Sequence, residues 1–298
     1  MHRFILTIPL PCDFAHWQTR LTQSGQGTYH QADGKLGRVL RLAQGLRYVE
    51  LEGYDGSAKC QVSIHGGSEA EETEARQILN HILSLDTDLV KFYDHCRTVE
   101  PGMIPVIEAL WGARMIREAD TFTSVIDAII SQQLNLAFAA QLKRRLWSLC
   151  GEAVEVGGTV MYGDPTPAAI AALDYEQLRA MQYSGRKAEY IIDFARLVAS
   201  GAYALESLEH VDDETAIASL CSLRGIGRWT AECVLLFGLG RPDLLPAGDI
   251  GLLRSASRMR GLAERISEPE LRERSAGWAP WRSWYTYYLW LYDGISLK

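Results

Sequence analysis

Apolar residues along this chain change their period near Ser68, and that change divides what its two parts can fold into. Before it, 4–8, 37–42, 46–52 and 59–64 alternate or run rich in apolar residues, between glycine-bearing turns at 25–27, Gly34, Gly45 and 53–56. Residues 14–22 read as one helix among these strands. Beyond Ser68, Ile78, Ile82 and Leu85, then Leu89 and Phe92, recur at helical spacing. Pro101-Gly102 and Pro105 mark a junction, followed by helices near 122–133, 136–150, 174–182, 186–199, 213–221, 228–239, 250–259 and 281–292. Gly157-Gly158 and Gly163-Asp164-Pro165 fit a loop between two halves. The expected class is α+β: a small N-terminal antiparallel-sheet α/β domain over 1–98, then a mostly helical region over 99–298.

A length of 298 residues leaves room for two or three units with sizeable cores. No apolar run approaches the ~20 residues of a membrane span, so no membrane association is expected. The first twelve residues resemble a lipoprotein signal only superficially. Their apolar stretch is broken by Thr7 and Pro9, and Phe4, Leu6 and Ile8 alternate as in a strand. The six cysteines are scattered with no Cys-x-x-Cys pair, which argues against a disulfide framework and a zinc site and fits a reducing, cytoplasmic setting. Net charge is −7, unfavourable for a nucleic-acid partner taken globally. Its distribution is uneven: acids dominate 67–100, whereas Arg224, Arg228, Arg241, Arg254, Arg258 and Arg260 outnumber the acids of 223–260. Lys143-Arg144-Arg145 adds to the basic side or is a solvated helix face.

Within 223–252 the residues carry specific chemistry. Gly225 and Gly227 bracket Ile226 ahead of a helix, where backbone amides and the helix dipole favour an anion. Leu223 and Ile226 pin this hairpin into a core. Gly238, Gly240 and Pro242 end the helix, and Asp249 precedes Ile250-Gly251-Leu252-Leu253 as an N-cap. A second start, Ser184-Gly185-Arg186-Lys187, is either another phosphate hook or an ordinary capped helix.

The hairpin, the Gly/Pro-rich loop and Asp249 together resemble the helix-hairpin-helix segment of the HhH-GPD superfamily of DNA glycosylases, most of all its 3-methyladenine DNA glycosylase II branch. The stretch Ala128-Ile-Ile-Ser-Gln-Gln-Leu-Asn-Leu-Ala-Phe-Ala-Ala-Gln-Leu142 resembles the part that wedges DNA. Trp281-Arg-Ser-Trp-Tyr-Thr-Tyr-Tyr-Leu-Trp290 resembles the final helix lining the base pocket. The resemblance spans roughly 100–295, and implies two helical subdomains with the active-site cleft between them. Where bifunctional members place a catalytic lysine this chain has Trp229, and an indole cannot form a Schiff base. No cysteine follows Cys233, so the iron–sulfur loop of endonuclease III relatives is absent.

The resemblance implies a monomeric, nucleoid-associated, monofunctional enzyme of base excision repair acting on double-stranded DNA with damaged bases. Asp249 is its catalytic carboxylate, and Trp229 and Trp290 sandwich an alkylated, electron-poor base. Tyr287 and Tyr288 are weaker pocket candidates. Two positions that are tyrosine in a well-known member are Cys233 and Ile250 here, which implies a roomier or less aromatic pocket. DNA contacts are expected from Gly225, Ile226, Gly227, Arg228 and Thr230, from Gln133 and the wedge Leu134, and from Arg186 and Lys187. No cofactor or catalytic metal is expected, though the family implies a structural Na⁺ or K⁺ at the carbonyls of Leu223 and Ile226. Two other readings stay open: a glycosylase for deaminated or oxidised bases, and a non-catalytic DNA-binding protein that uses only the hairpin.

Overall fold

The computed structural model describes residues 1–23, 28–54 and 56–294; the turn expected at 25–27 lies outside them, as does Asp55 of the one at 53–56. Strands β1 (His2–Thr7), β2 (Tyr29–Ala32), β3 (Lys35–Leu42), β4 (Gly45–Gly53) and β5 (Lys59–Ile64) form one sheet in the order β1-β5-β4-β3-β2, with every pair antiparallel. β2 escapes sequence reading because Tyr-His-Gln-Ala has no alternation; its pairing with β3 makes it a strand. One sheet face buries Leu6, Leu40, Leu51 and Val62 against Trp17 and Leu21 of α1 (Phe14–Gln23) and Leu79 and Ile82 of α2 (Glu72–Ile82).

The other face meets a part of the chain expected to be loop. Residues 153–162 form a hairpin of β6 (Ala153–Val156) and β7 (Thr159–Tyr162), whose turn is Gly157-Gly158 with both φ positive. Two left-handed residues give the turn whose twist matches the flanking strands, a conformation the glycine pair adopts without strain. Met161 of this hairpin packs with Val39 and Tyr48 of the sheet.

The core changes identity between Leu85 and Leu89. Leu83 and Leu85 belong with the sheet, whereas Leu89, Phe92, Tyr93 and Cys96 of α3 (Leu89–Val99) belong with the helices. The helical region continues through α4 (Ile104–Ala109), α5 (Thr121–Ser131) and α6 (Leu136–Cys150). After the hairpin come α7 (Pro167–Ala171), α8 (Tyr175–Ala180), α9 (Gly185–Ala199), α10 (Asp213–Cys221), α11 (Arg228–Gly238), α12 (Ile250–Met259), α13 (Glu268–Arg274) and α14 (Arg282–Asp293). Sequence reading misses α4, where Pro105 reads as a junction, and α7 and α13. Each of the latter two has a capping residue, Thr166 or Ser267, and a proline in its first turn, but is too short to show a period.

Two close helix pairs set the site. α5 and α11 run antiparallel. Gly238 at the end of α11 packs so near α5 that a Cβ there would lie 2.9 Å from the Ser124 Cβ. At the other end, Gln132 just past α5 reaches Thr230 in the first turn of α11. α12 and α14 are joined in the same way, with the Ser255 hydroxyl donating to the Leu289 carbonyl at 2.6 Å. The start of α12 thereby faces the end of α14.

Candidate active site

These packings bring the start of α11, the start of α12, the end of α14 and the turn after α5 around one cleft of about 490 Å³. That lies within the ~300–1,000 Å³ typical of small-ligand sites. Asp249 stands at its edge as the N-cap of α12, accepting from the Leu252 amide at 2.7 Å. Its carboxylate takes two further donors: Trp290 Nε1 on the same oxygen at 2.8 Å and Trp229 Nε1 on the other at 3.1 Å. Three donors from three elements fix the carboxylate plane. Gly251 is part of this arrangement, since a Cβ there would come 3.1 Å from Asp249 Oδ1. Trp290 is held on its far side by Phe237, stacked at 5.9 Å and 17°.

Most of the expected pocket is assembled. Trp229, Trp290, Cys233 and Tyr287 all line the cleft. Tyr287 is buried, with its hydroxyl donating to the Arg114 carbonyl at 3.1 Å. Burial pushes the Cys233 thiol well above its ordinary value, and Asp249 adds to the effect, so the group stays a neutral, apolar wall. Ile250 is a correction. As the first residue of α12 it points outward, 60% exposed, and is absent from the cleft wall. Tyr288 is also outside it, buried with its hydroxyl 2.6 Å from that of Tyr93.

The hairpin has the expected shape. Gly225 has φ +89, and a Cβ on it would strike the Tyr190 ring at 2.2 Å. Gly227 caps α11 with an ordinary φ of −97 and no side-chain hydrogen bond, and a Cβ there would meet nothing within 4 Å. Ile226 is buried in the helical core. Across from the hairpin, Gln133 is exposed with φ +55, and Leu134 lines the cleft.

Several charged residues do other work than expected. Arg228 is committed to Glu214 at 2.6 Å and Glu232 at 3.0 Å, and Thr230 is buried against Gln132. Lys187 turns inward to main-chain carbonyls, while Arg186 stays exposed at the start of α9. The basic balance of 223–260 is neutralised by acids from elsewhere: Arg224 pairs with Glu189, Arg241 with Asp213, Arg254 with Asp293 and Arg260 with Glu100. Lys143 is not a solvated cation but a buried one, 2.9 Å from Glu118 and 3.2 Å from Asp127. Burial opposes the Lys143 charge, but Asp127 and Glu118 outweigh it and raise its pKa.

Glu118, Asp127 and Arg20 also line the cleft, and sequence reading misses them. Arg20 belongs to α1, so the N-terminal domain supplies part of the cleft wall. Nothing local marks these residues; they meet only because distant segments fold together. Gln132, by contrast, is visible in the sequence as a polar intrusion in an apolar helix, which is a usable signal.

Comparison with known proteins agrees with this geometry. Residues 126–280 match the HhH-GPD superfamily base excision DNA repair protein family. A DNA-3-methyladenine glycosylase of Bacillus subtilis is 33% identical over 223 residues, covering 74% of this chain and 73% of the relative. The solved 3-methyladenine DNA-glycosylase from Archaeoglobus fulgidus superposes with a TM-score of 0.85 at 26% identity, over 99% of both chains. The Schizosaccharomyces pombe 3-methyladenine DNA glycosylase, solved in complex with abasic DNA, gives 0.60 at 27% identity, over 69% of this chain and 98% of that one. By its fold, its hairpin and its matched residues, the chain belongs to the HhH-GPD superfamily of base excision DNA repair proteins.

Proposed function

We propose that this chain is a monofunctional DNA glycosylase that turns an alkylated base out of the duplex and hydrolyses its N-glycosidic bond, leaving an abasic site. The observation that carries this reading is the Asp249 carboxylate, fixed by two indole donors at the mouth of a base-sized cleft. The names of the relatives point to the same substrate class.

Chemistry follows from the arrangement. Turning a base out costs a few kcal/mol, less when damage has weakened its pairing. Leu134, on a turn at the cleft edge, has the apolar shape to fill the gap left in the stack. The bare amides at the start of α11 receive a backbone phosphate, with Gly227 leaving room for it. Main-chain oxygens such as those of Leu223 and Ile226 suit a hard monovalent cation beside that phosphate. A purine alkylated at N3 or N7 is cationic and already a good leaving group, so little acid catalysis is needed. Trp229 and Trp290 attract its face at about 0.5–2 kcal/mol per contact. As the base departs, positive charge develops on the sugar and the fixed carboxylate stabilises it. No lysine is among the described residues that line the cleft, so no Schiff base forms and the strand is left intact.

A labelled duplex with a single 7-methylguanine tests this. Wild-type chain should yield alkali-sensitive abasic sites and no strand breaks without alkali. Asp249→Asn should lower the rate by about 10²–10³-fold. Breaks before alkali would mean a lyase. Release only from deaminated or oxidised bases would move the substrate class, and release from no base on a damage panel would leave a DNA-binding protein.

A further inference from the structure

The turn after α5 that carries Leu134 is held from two sides by side chains with no catalytic part. Lys187, in the first turn of α9, donates from Nζ to the carbonyls of Ile130 at 2.5 Å and Gln132 at 2.7 Å. Carbonyls at a helix C-terminus lack intrahelical donors, and a cation is favoured beside them. Lys187 forms no ion pair among the described residues, and burial alone pushes its ammonium down to about 8. The main-chain carbonyls are what this lysine serves. Gln132 reaches the opposite way, its Nε2 donating to the Gly225 carbonyl at 2.9 Å and to the Thr230 hydroxyl at 3.0 Å. The next residue, Gln133, takes the left-handed conformation that reverses the chain and sets Leu134 at the cleft. A continuous path of hydrogen bonds therefore runs from the hairpin, through Gln132 and its carbonyl, to Lys187 on α9.

We propose that Gln132 and Lys187 are positioning residues for the Leu134 wedge, joining the hairpin that seats the DNA backbone to the turn that enters the base stack. This rests on the reading of Leu134 given above. A turn fixed before DNA arrives loses less freedom on insertion, so the advantage appears where a stack must be entered. It should vanish on single-stranded DNA, where no hole opens beside the extruded base.

The test is single-turnover excision of 7-methylguanine from duplex and from single-stranded DNA, using the full chain. Lys187→Met removes the donor and keeps the length, and Gln132→Glu removes the amide donor and keeps the shape. Each should slow duplex excision about tenfold, leave single-strand excision within about twofold, and add little to Leu134→Ala, as expected for groups acting through one unit. Lys187→Arg should recover most of the duplex rate. Equal losses on both substrates, or losses that multiply with that of Leu134→Ala, would overturn the proposal. A normal duplex rate for Leu134→Ala would remove the wedge and this proposal with it. Fluorescence of 2-aminopurine beside a tetrahydrofuran abasic analogue reports insertion without any excision. There both variants should lose the wild-type enhancement, and retention of it would overturn the coupling whatever the excised base.

Discussion

Helices α11 and α12 both begin beside the cleft, and their first turns are completed in opposite ways. α12 is closed by its own chain: Asp249 accepts from the Leu252 amide, and its remaining capacity goes to two indoles. α11 is left open, with Gly227 at its cap, no side-chain acceptor and empty space where a Cβ would stand. A glycine cap forgoes only about a few tenths of a kcal/mol relative to a serine or aspartate, while leaving the first-turn amides without a side-chain acceptor. It makes sense where an outside anion completes the turn. Under the proposed function, one helix start holds the protein's own negative charge for chemistry, and the other is left open for charge on the DNA. The two glycines of the hairpin divide in the same way. Gly225 is demanded by its own fold, whereas the conformation at Gly227 suits any residue.

The largest effect that tests this contrast is at Asp249. Asn keeps the cap but turns an NH2 toward one of the indole N–H donors, so Asp249→Asn should lose activity at a cost of about 1 kcal/mol in stability, whereas Asp249→Ala, which removes the cap and both indole acceptors, should lose activity and about 2–3 kcal/mol. A stable, active Asp249→Ala would show that the cap and the chemistry are not the same carboxylate. Next is Gly227→Asp, which makes α11 resemble α12. The fold should be as stable or slightly more so, while duplex affinity falls about tenfold through the ~1–2 kcal/mol that an anion gains at a helix start. Unchanged affinity would place the phosphate elsewhere. Gly225→Ala should do the reverse of that variant on stability, costing about 1–3 kcal/mol from the left-handed φ and the Tyr190 contact. Chemical denaturation would measure it.

The smallest effect on catalysis is at Glu232, which lies on α11 away from the cleft wall. Burial pushes its carboxyl up to about 7 against the pull of Arg228 and Arg272. The native state therefore binds this proton more tightly than the unfolded chain. Stability from it is full below pH 4.5, and falls by up to about 3 kcal/mol as pH rises to 7. Glu232→Gln should flatten that decline and raise the melting temperature at pH 8, with the excision rate unchanged. A steep decline persisting in the variant would assign it to another group.

Signals confined to a few residues are legible in the sequence. The strands β1, β3, β4 and β5, helix α6, the Asp249 cap and the open glycine at α11 follow from period, cap chemistry and missing Cβ atoms. Those properties are set by backbone geometry over one turn or one strand. Charge is the poorer guide. Arg228, Lys143 and Lys187 have the character of cations for DNA, yet the fold commits them to Glu214, to Glu118 and to main-chain carbonyls. Position in the motif puts Ile250 in the pocket, and the rotation of α12 turns it to solvent.

By itself, the sequence determined the class of fold, the hairpin, the absence of a lysine at Trp229 and the Asp249 cap of α12. Only the tertiary structure decided that Trp229 and Trp290, separated by two whole helices and most of two more, both donate to Asp249, and that Arg20 of the sheet domain reaches the same cleft. Local conformation depends on neighbours in the chain, whereas hydrogen bonds and ion pairs choose partners by distance in space. Arg260 and Glu100, 160 residues apart, are joined by helix packing that no local pattern encodes.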